Sequence, residues 1–83
     1  MKTIEIYGQK GCGFCSRAVE FCQSAEYAFV YRDIADAQHR SEMFARNPQA
    51  KTVPQIFVGD TLVGGFDDLK ALPTSQLQQM IGE

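Results

Sequence analysis

Gly8-Gln9-Lys10-Gly11-Cys12-Gly13-Phe14-Cys15-Ser16-Arg17-Ala18 is the stretch where the hydrophobic period of the chain changes, and the fold turns on its reading. Before it, Thr3-Ile4-Glu5-Ile6-Tyr7 alternates polar and apolar residues and ends in β-formers, which predicts a first strand. After it, Cys15, Ala18, Val19, Cys22 and Ala25 recur at helical spacing, with Arg17, Glu20, Gln23 and Ser24 opposite them. That pattern predicts an amphipathic helix from Cys12. Gly8 and Gly11 bracket the turn between the two elements. A pair of cysteines two residues apart therefore falls where a strand-turn becomes a helix.

Working outward, Phe29-Val30-Tyr31-Arg32-Asp33-Ile34 is rich in β-formers and predicts a second strand. Asp36 is placed to cap a second helix running to about Asn47, with Pro48 near its end. Gln55-Ile56-Phe57-Val58 predicts a third strand, entered through Pro54. Gly59-Asp60 then turns into a fourth, Thr61-Leu62-Val63. Gly64-Gly65 breaks that strand. A short helix follows at Asp67–Leu72, its acids in the first turn where the helix dipole favours them, and Pro73 stops it. Thr74 or Ser75 can cap a last segment, Gln76 to Ile81, expected to add a final helical turn. The order β-α-β-α-β-β-α predicts an α/β chain. Its first two strands are parallel across a right-handed helical crossover, and the hairpin adds an antiparallel pair. The expected architecture is a four-stranded mixed sheet with helices on both faces.

Composition narrows the function. Eighty-three residues predict one domain, 1–83, burying about 60–65% of its unfolded surface. Apolar residues make up 45% and charged residues 22%, which excludes disorder and collagen-like structure. A net charge of −2 argues against a nucleic-acid partner. No apolar run approaches the roughly 18 residues of a membrane span, so no membrane partner is expected. Met1-Lys2-Thr3 leads straight into a strand with no apolar signal region, and a cytoplasmic location is expected. The three cysteines are odd in number, which argues against a disulfide scaffold and for reactive or buried thiols.

A C-x-x-C beside a βαβ pattern reads as a thioredoxin-like redox motif. At the helix start, the Cys12 sulfur lies near unpaired backbone N–H groups and the positive end of the dipole, an effect of up to about 2 kcal/mol. Both favour thiolate, and Lys10 adds a nearby cation. Cys15 is one turn further in, on the same face. Cys12 is thus expected to be the nucleophile and Cys15 the resolving thiol. Zinc is the competing use of the pair. Only Cys22 and His39 remain as further soft ligands. Cys22 lies seven residues beyond Cys15, about 10 Å of helical rise, too far to share an ion, so no metal site is expected. Cys22 is expected to be a small core hydrophobe, His39 a surface residue, and Phe21, Phe29, Tyr31, Phe44 and Phe57 mostly packing.

Three blocks of the sequence together resemble the glutaredoxins, over nearly the whole chain. They are Lys10-Gly11-Cys12-Gly13-Phe14-Cys15 with Arg17-Ala18, then Thr52-Val53-Pro54-Gln55-Ile56-Phe57-Val58, then Gly64-Gly65-Phe66-Asp67-Asp68-Leu69. The likeness is to the short dithiol class of bacteria and their phages, here with a C-G-F-C active site. It implies a thioredoxin fold and a glutathione-dependent thiol-disulfide oxidoreductase, reducing protein disulfides and glutathione mixed disulfides. The resemblance also implies a cis Pro54 facing the active cysteine, and a Val53 backbone that pairs with glutathione as a short added strand. Glutathione would lie along Phe14, Thr52, Val53, Pro54, Gly65, Phe66, Asp67 and Asp68. Its γ-glutamyl carboxylate would rest on the backbone N–H groups of Phe66 and Asp67, and its ammonium on Asp68. Gln9, Lys10 and Lys51 are candidates for the glycyl carboxylate.

Two departures stand out. Gly13-Phe14 replaces the commoner proline and tyrosine. Gln9 stands where the family usually has a lysine or arginine, with Lys10 one position closer. Gly13-Phe14 also matches the middle pair of the single-cysteine members. The alternative is therefore a dimer around a [2Fe–2S] cluster, held by Cys12 and glutathione. A donor served by thioredoxin reductase would carry a tryptophan-containing ending, and this chain has no tryptophan. The expected partners are glutathione and disulfide-containing or glutathionylated proteins, with ribonucleotide reductase one plausible recipient. A monomer is expected.

Overall fold

The computed structural model describes residues 1–82. Its elements are β1 (Ile4–Gly8), α1 (Gly13–Ser24), β2 (Phe29–Asp33), α2 (Ala37–Arg46), β3 (Gln55–Val58), β4 (Thr61–Gly64), α3 (Phe66–Ala71) and α4 (Thr74–Gly82). The strands form one sheet in the order β2-β1-β3-β4. β1 pairs parallel with β2 and antiparallel with β3, and β3 pairs antiparallel with β4. This is the expected mixed sheet.

The two central strands are buried on both faces, and their alternation divides the core. Ile4, Ile6, Ile56 and Val58 pack with Ala18 and Cys22 of α1, Leu69 of α3, and Leu77 and Ile81 of α4. On the opposite face, Tyr7 and Phe57 pack with Met43 of α2, their rings edge-on at 5.8 Å. Three helices thus cover one face of the sheet and α2 the other. Fully burying one of these aliphatic side chains contributes about 1.5–3 kcal/mol. Gly59 makes the β3–β4 turn at φ 59°, a conformation that glycine adopts without a Cβ penalty.

Several expectations are corrected. The last segment is a nine-residue helix, because Leu77 and Ile81, four residues apart, reach the core together. Lys2 N–H also donates to the Ile81 carbonyl at 2.6 Å, tying this helix to the chain start. Ala25 is not on the buried face. It is the C-cap of α1 and exposed, since the helix ends one residue earlier. β2 ends at Asp33 rather than Ile34, and α3 begins at Phe66 rather than Asp67, with Gly65 as its N-cap. Tyr31 and Phe44 are exposed, on an edge strand and on the outer face of α2. His39 is half-buried, with Nδ1 3.3 Å from the Asp33 carbonyl oxygen. Asp36 caps α2 as expected, its Oδ1 accepting from Gln38 and His39 N–H at 2.8 and 3.3 Å.

Candidate active site

β1 and β2 run parallel, so their C-terminal ends and the loops leading into α1 and α2 share one edge of the sheet. That edge is where open α/β sheets hold their ligands. Gly11, at φ 80°, turns the chain there so that Cys12 becomes the N-cap of α1 in an extended conformation. The Cys12 sulfur accepts the N–H of Cys15 at 3.1 Å, satisfying a donor that has no partner within the helix. Cys12 and Cys15 form a disulfide across one helical turn, with their Cα atoms 5.2 Å apart. Cys15 is 1% exposed, so Cys12 is the sulfur that meets solvent and Cys15 lies behind it.

The loop before β3 faces this pair. The Val53–Pro54 bond is cis, and the Val53 carbonyl oxygen lies 3.6 Å from Cys12 Sγ. Phe14 projects to solvent beside it, at 49% exposure, and stacks on Phe66 with ring centroids 6.4 Å apart. The Arg17 guanidinium also lies over the Phe14 ring, 5.3 Å from its centroid. Phe14, Thr52, Val53, Pro54, Gly65, Phe66, Asp67 and Asp68 together line a groove of about 320 Å³. The sequence-predicted residues of the second and third blocks therefore meet in one place. Asp68 also acts locally, its Oδ2 accepting the Gly65 N–H at 2.9 Å.

The three candidates for the other end of a ligand are split. Gln9 and Lys51 line a pocket of about 200 Å³ on the far side of Val53. Lys10 lines the adjoining pocket of about 490 Å³, again with Gln9. Arg40 of α2 borders the same pocket and is a cation that the sequence reading missed. Its guanidinium donates to the Ile34 carbonyl at 3.0 Å, which holds it at this edge. The signal was present in the topology, since the first turns of α1 and α2 must open onto the same sheet edge. The site thus has the carboxylates of Asp67 and Asp68 at one end, Lys10, Arg40 and Lys51 with the single carboxylate of Asp33 at the other, and a reactive sulfur between.

Cys22 is 0% exposed, and burial pushes its thiol up to about 11. It takes no part in the site. Among the described residues, no cluster of three or more His, Cys, Asp or Glu could hold a metal ion.

Known proteins resemble this chain in sequence and fold. The sequence model of the family described as Glutaredoxin matches residues 4–63. Glutaredoxin 3 of Escherichia coli (strain K12) is 40% identical over 73 residues, 87% of each chain. The solution structure of glutaredoxin from Brucella melitensis superposes with a TM-score of 0.74 at 34% identity, covering 100% of this chain and 94% of that one. A buckwheat glutaredoxin–glutathione complex shares the fold at 19% identity, with a TM-score of 0.76 over 98% of this chain and 77% of its own.

Proposed function

Because this chain belongs to the glutaredoxin family, and is a glutathione-dependent thiol-disulfide oxidoreductase of thioredoxin fold, we propose the following division of labour among its residues. Cys12 is the nucleophile. Its thiolate attacks the glutathione sulfur of a glutathionylated protein, forming a Cys12–glutathione disulfide and expelling the protein thiolate. A second glutathione thiolate then attacks the glutathione sulfur of that mixed disulfide, releasing oxidised glutathione and the Cys12 thiolate. With a protein disulfide, Cys12 forms a mixed disulfide to the substrate and Cys15 attacks Cys12 Sγ. The reduced substrate leaves behind a Cys12–Cys15 bond, which glutathione later reduces.

The observation that carries this reading is the placement of Cys12. It stands at a helix N-cap, accepts a backbone N–H, and its sulfur lies 3.6 Å from the carbonyl of Val53, which lines the groove formed by the cis-proline loop and the start of α3. In that groove we place glutathione. The Val53 backbone pairs with its cysteinyl unit, alongside Thr52 and Pro54, and Phe14 walls the sulfur. The γ-glutamyl carboxylate rests on the Phe66 and Asp67 N–H groups beside Gly65, with Asp68 on the ammonium. Gln9 and Lys51 take the glycyl carboxylate, and Lys10 and Arg40 add positive potential from the adjoining pocket. The physiological recipients are disulfide-containing or glutathionylated proteins of the cytoplasm, ribonucleotide reductase being one that fits. The working form is the monomer.

The test is a coupled assay with glutathione, glutathione reductase and a glutathione mixed disulfide. Cys15→Ser keeps deglutathionylation and loses protein disulfide reduction. Loss of both would contradict the two-step assignment, and activity supported by thioredoxin reductase but not by glutathione would overturn the substrate.

The alternative reading, a [2Fe–2S] cluster, rests on the Gly13-Phe14 pair. Such a cluster takes four cysteine-type thiolates. One chain offers Cys12 at the surface while Cys15 is buried behind it, so two copies and two glutathione thiols would complete the set. Visible absorbance and a dimer after anaerobic purification with glutathione would favour it. A colourless monomer with full reductase activity favours the enzyme reading.

A further inference from the structure

Behind the reactive pair lies a contact that the reaction just described does not use. Tyr31 is on edge strand β2 and pairs with Ile6, so it shares the face of the sheet that carries α1. Its ring reaches diagonally across Gly8 toward the start of that helix. A Cβ built on Gly8 would lie 2.6 Å from the Tyr31 hydroxyl and 2.9 Å from Cys15 Sγ. The hydroxyl oxygen and the buried sulfur therefore flank one point and are no further apart than the sum of those two distances. They can be so close only because residue 8 is glycine, as any side chain there would occupy the space between them. In the oxidised protein the hydroxyl donates to the Gln9 carbonyl at 3.4 Å, a long bond from which it is easily turned.

We propose that Tyr31 is the hydrogen-bond donor that receives Cys15 Sγ when the Cys12–Cys15 disulfide opens. The inference rests on Cys15 being the resolving thiol. Glutathione thiolate attacks Cys12 Sγ, a new Cys12–glutathione S–S bond forms, and the Cys12–Cys15 bond breaks. Its electron pair departs on Cys15 Sγ as thiolate. That thiolate is 1% exposed and has little access to water, so a protein donor must take water's place. The Tyr31 hydroxyl swings from the Gln9 carbonyl to the sulfur and keeps its proton. Burial, then the nearby Asp33 carboxylate, hold the phenol above its ordinary value, so it is a donor throughout the neutral range. Glu20 of α1 borders the same pocket as Tyr31, with Ser16 and Val19. The Asp33 carboxylate disfavours a second negative charge here, which makes a neutral donor beside the leaving sulfur the more necessary.

The test uses the full chain and Tyr31→Phe, which keeps the ring and removes the hydroxyl. Three quantities are measured. The first is the rate at which glutathione opens the preformed Cys12–Cys15 disulfide. The second is the rate at which a Cys15→Ser protein exchanges glutathione at Cys12, with and without Tyr31→Phe. The third is the thiolate absorbance of Cys15 against pH in a Cys12→Ser background. Loss of the donor slows disulfide opening by about tenfold, the worth of one hydrogen bond to a charged group. It shifts the Cys15 titration upward and leaves exchange at Cys12 unchanged. Unchanged opening and titration would overturn the proposal. So would equal slowing of both exchange steps, which would mean that the hydroxyl acts on the Gln9 loop. If instead Cys15→Ser alone abolishes exchange at Cys12, the resolving assignment itself fails, an outcome separate from either of these.

Discussion

The three cysteines show how one residue type takes three roles from its surroundings. Cys12 caps a helix and faces a groove, Cys15 lies buried one turn in, and Cys22 is enclosed by both core-facing helices and sheet. In the reduced protein at neutral pH, iodoacetamide therefore modifies Cys12 first and Cys15 more slowly. Cys22 reacts only once the chain unfolds, an order that peptide mass spectrometry reads directly; equal rates at Cys12 and Cys15 would contradict it. Cys22 also makes stability depend on pH. Its folded value of about 11 lies above the ordinary 9.0, so the fold favours the neutral thiol. That stabilisation is complete below about pH 9, and is lost as pH rises toward 11 because the unfolded chain ionises first. In the oxidised protein, where Cys22 is the free thiol, urea midpoints of the native chain fall across this window more steeply than those of Cys22→Ala. Parallel curves would disprove the assignment.

Among the elements, the helix starts carry the clearest predictions. Asp36 takes two N–H bonds from the first turn of α2, and these bonds hold its carboxyl below the usual 3.8. A depressed acid stabilises the fold above its unfolded value, and that contribution is lost as pH falls through the folded one. Asp36→Ala should therefore lower the melting temperature at pH 7, and the difference from the native chain should shrink progressively as pH falls from about 4 through the depressed folded value, checked by thermal melts across the acid range. Asp68 has two proposed roles at the start of α3. Asp68→Ala should raise the KM for glutathione by about tenfold with a smaller change in kcat, the pattern of a lost ground-state contact. A lowered melting temperature with unchanged KM would leave it only its bond to Gly65. These starts were legible in the sequence because an acid before or inside a first turn has a local meaning. The last helix was harder to see. Its helical form depends on Leu77 and Ile81 finding the core formed by β1 and β3, a tertiary fact that local propensity does not contain. Of the aromatics expected to be mostly packing, Phe21, Phe29 and Phe57 pack, and Tyr31 and Phe44 are the exceptions: an aromatic residue on an edge strand or outer helix face has the same local period as one on a buried face.

At the scale of the whole molecule, the catalytic edge depends on how α2 is fastened to the sheet, since α2 carries Arg40 at its start and packs under the Val53 loop through Met43. The C-cysteine block and the T-V-P block were readable as motifs, but their meeting needed the chain to close on itself. Arg46, at the far end of α2, makes much of that closure. Its guanidinium pairs with Glu5 on β1, donates to the Tyr7 hydroxyl at 3.3 Å and to the Gly59 carbonyl at 2.6 Å, and lies 4.0 Å from the centre of the Phe57 ring. Arg32 of β2 reaches the same Glu5 oxygen at 2.9 Å. One side chain thereby joins α2 to β1, β3 and the hairpin turn, with the planar fork and flat face that only arginine offers. The pair is three-quarters buried, so it is worth more than an exposed ion pair of about 0.5 kcal/mol. Arg46→Ala leaves Glu5 with Arg32 alone, opens a gap over Phe57 and removes the Gly59 tether. The expected loss is about 2–3 kcal/mol, read as a lower urea midpoint at constant m-value. Arg46→Lys keeps the charge and the stem but not the fork, and should recover less than half of that loss. Because α2 then rides loosely beneath the Val53 loop, the KM for glutathione rises in both variants while alkylation of Cys12 keeps its rate. Full recovery by lysine would mean that charge alone holds the helix, and an unchanged midpoint in Arg46→Ala would mean that the core faces hold it without help.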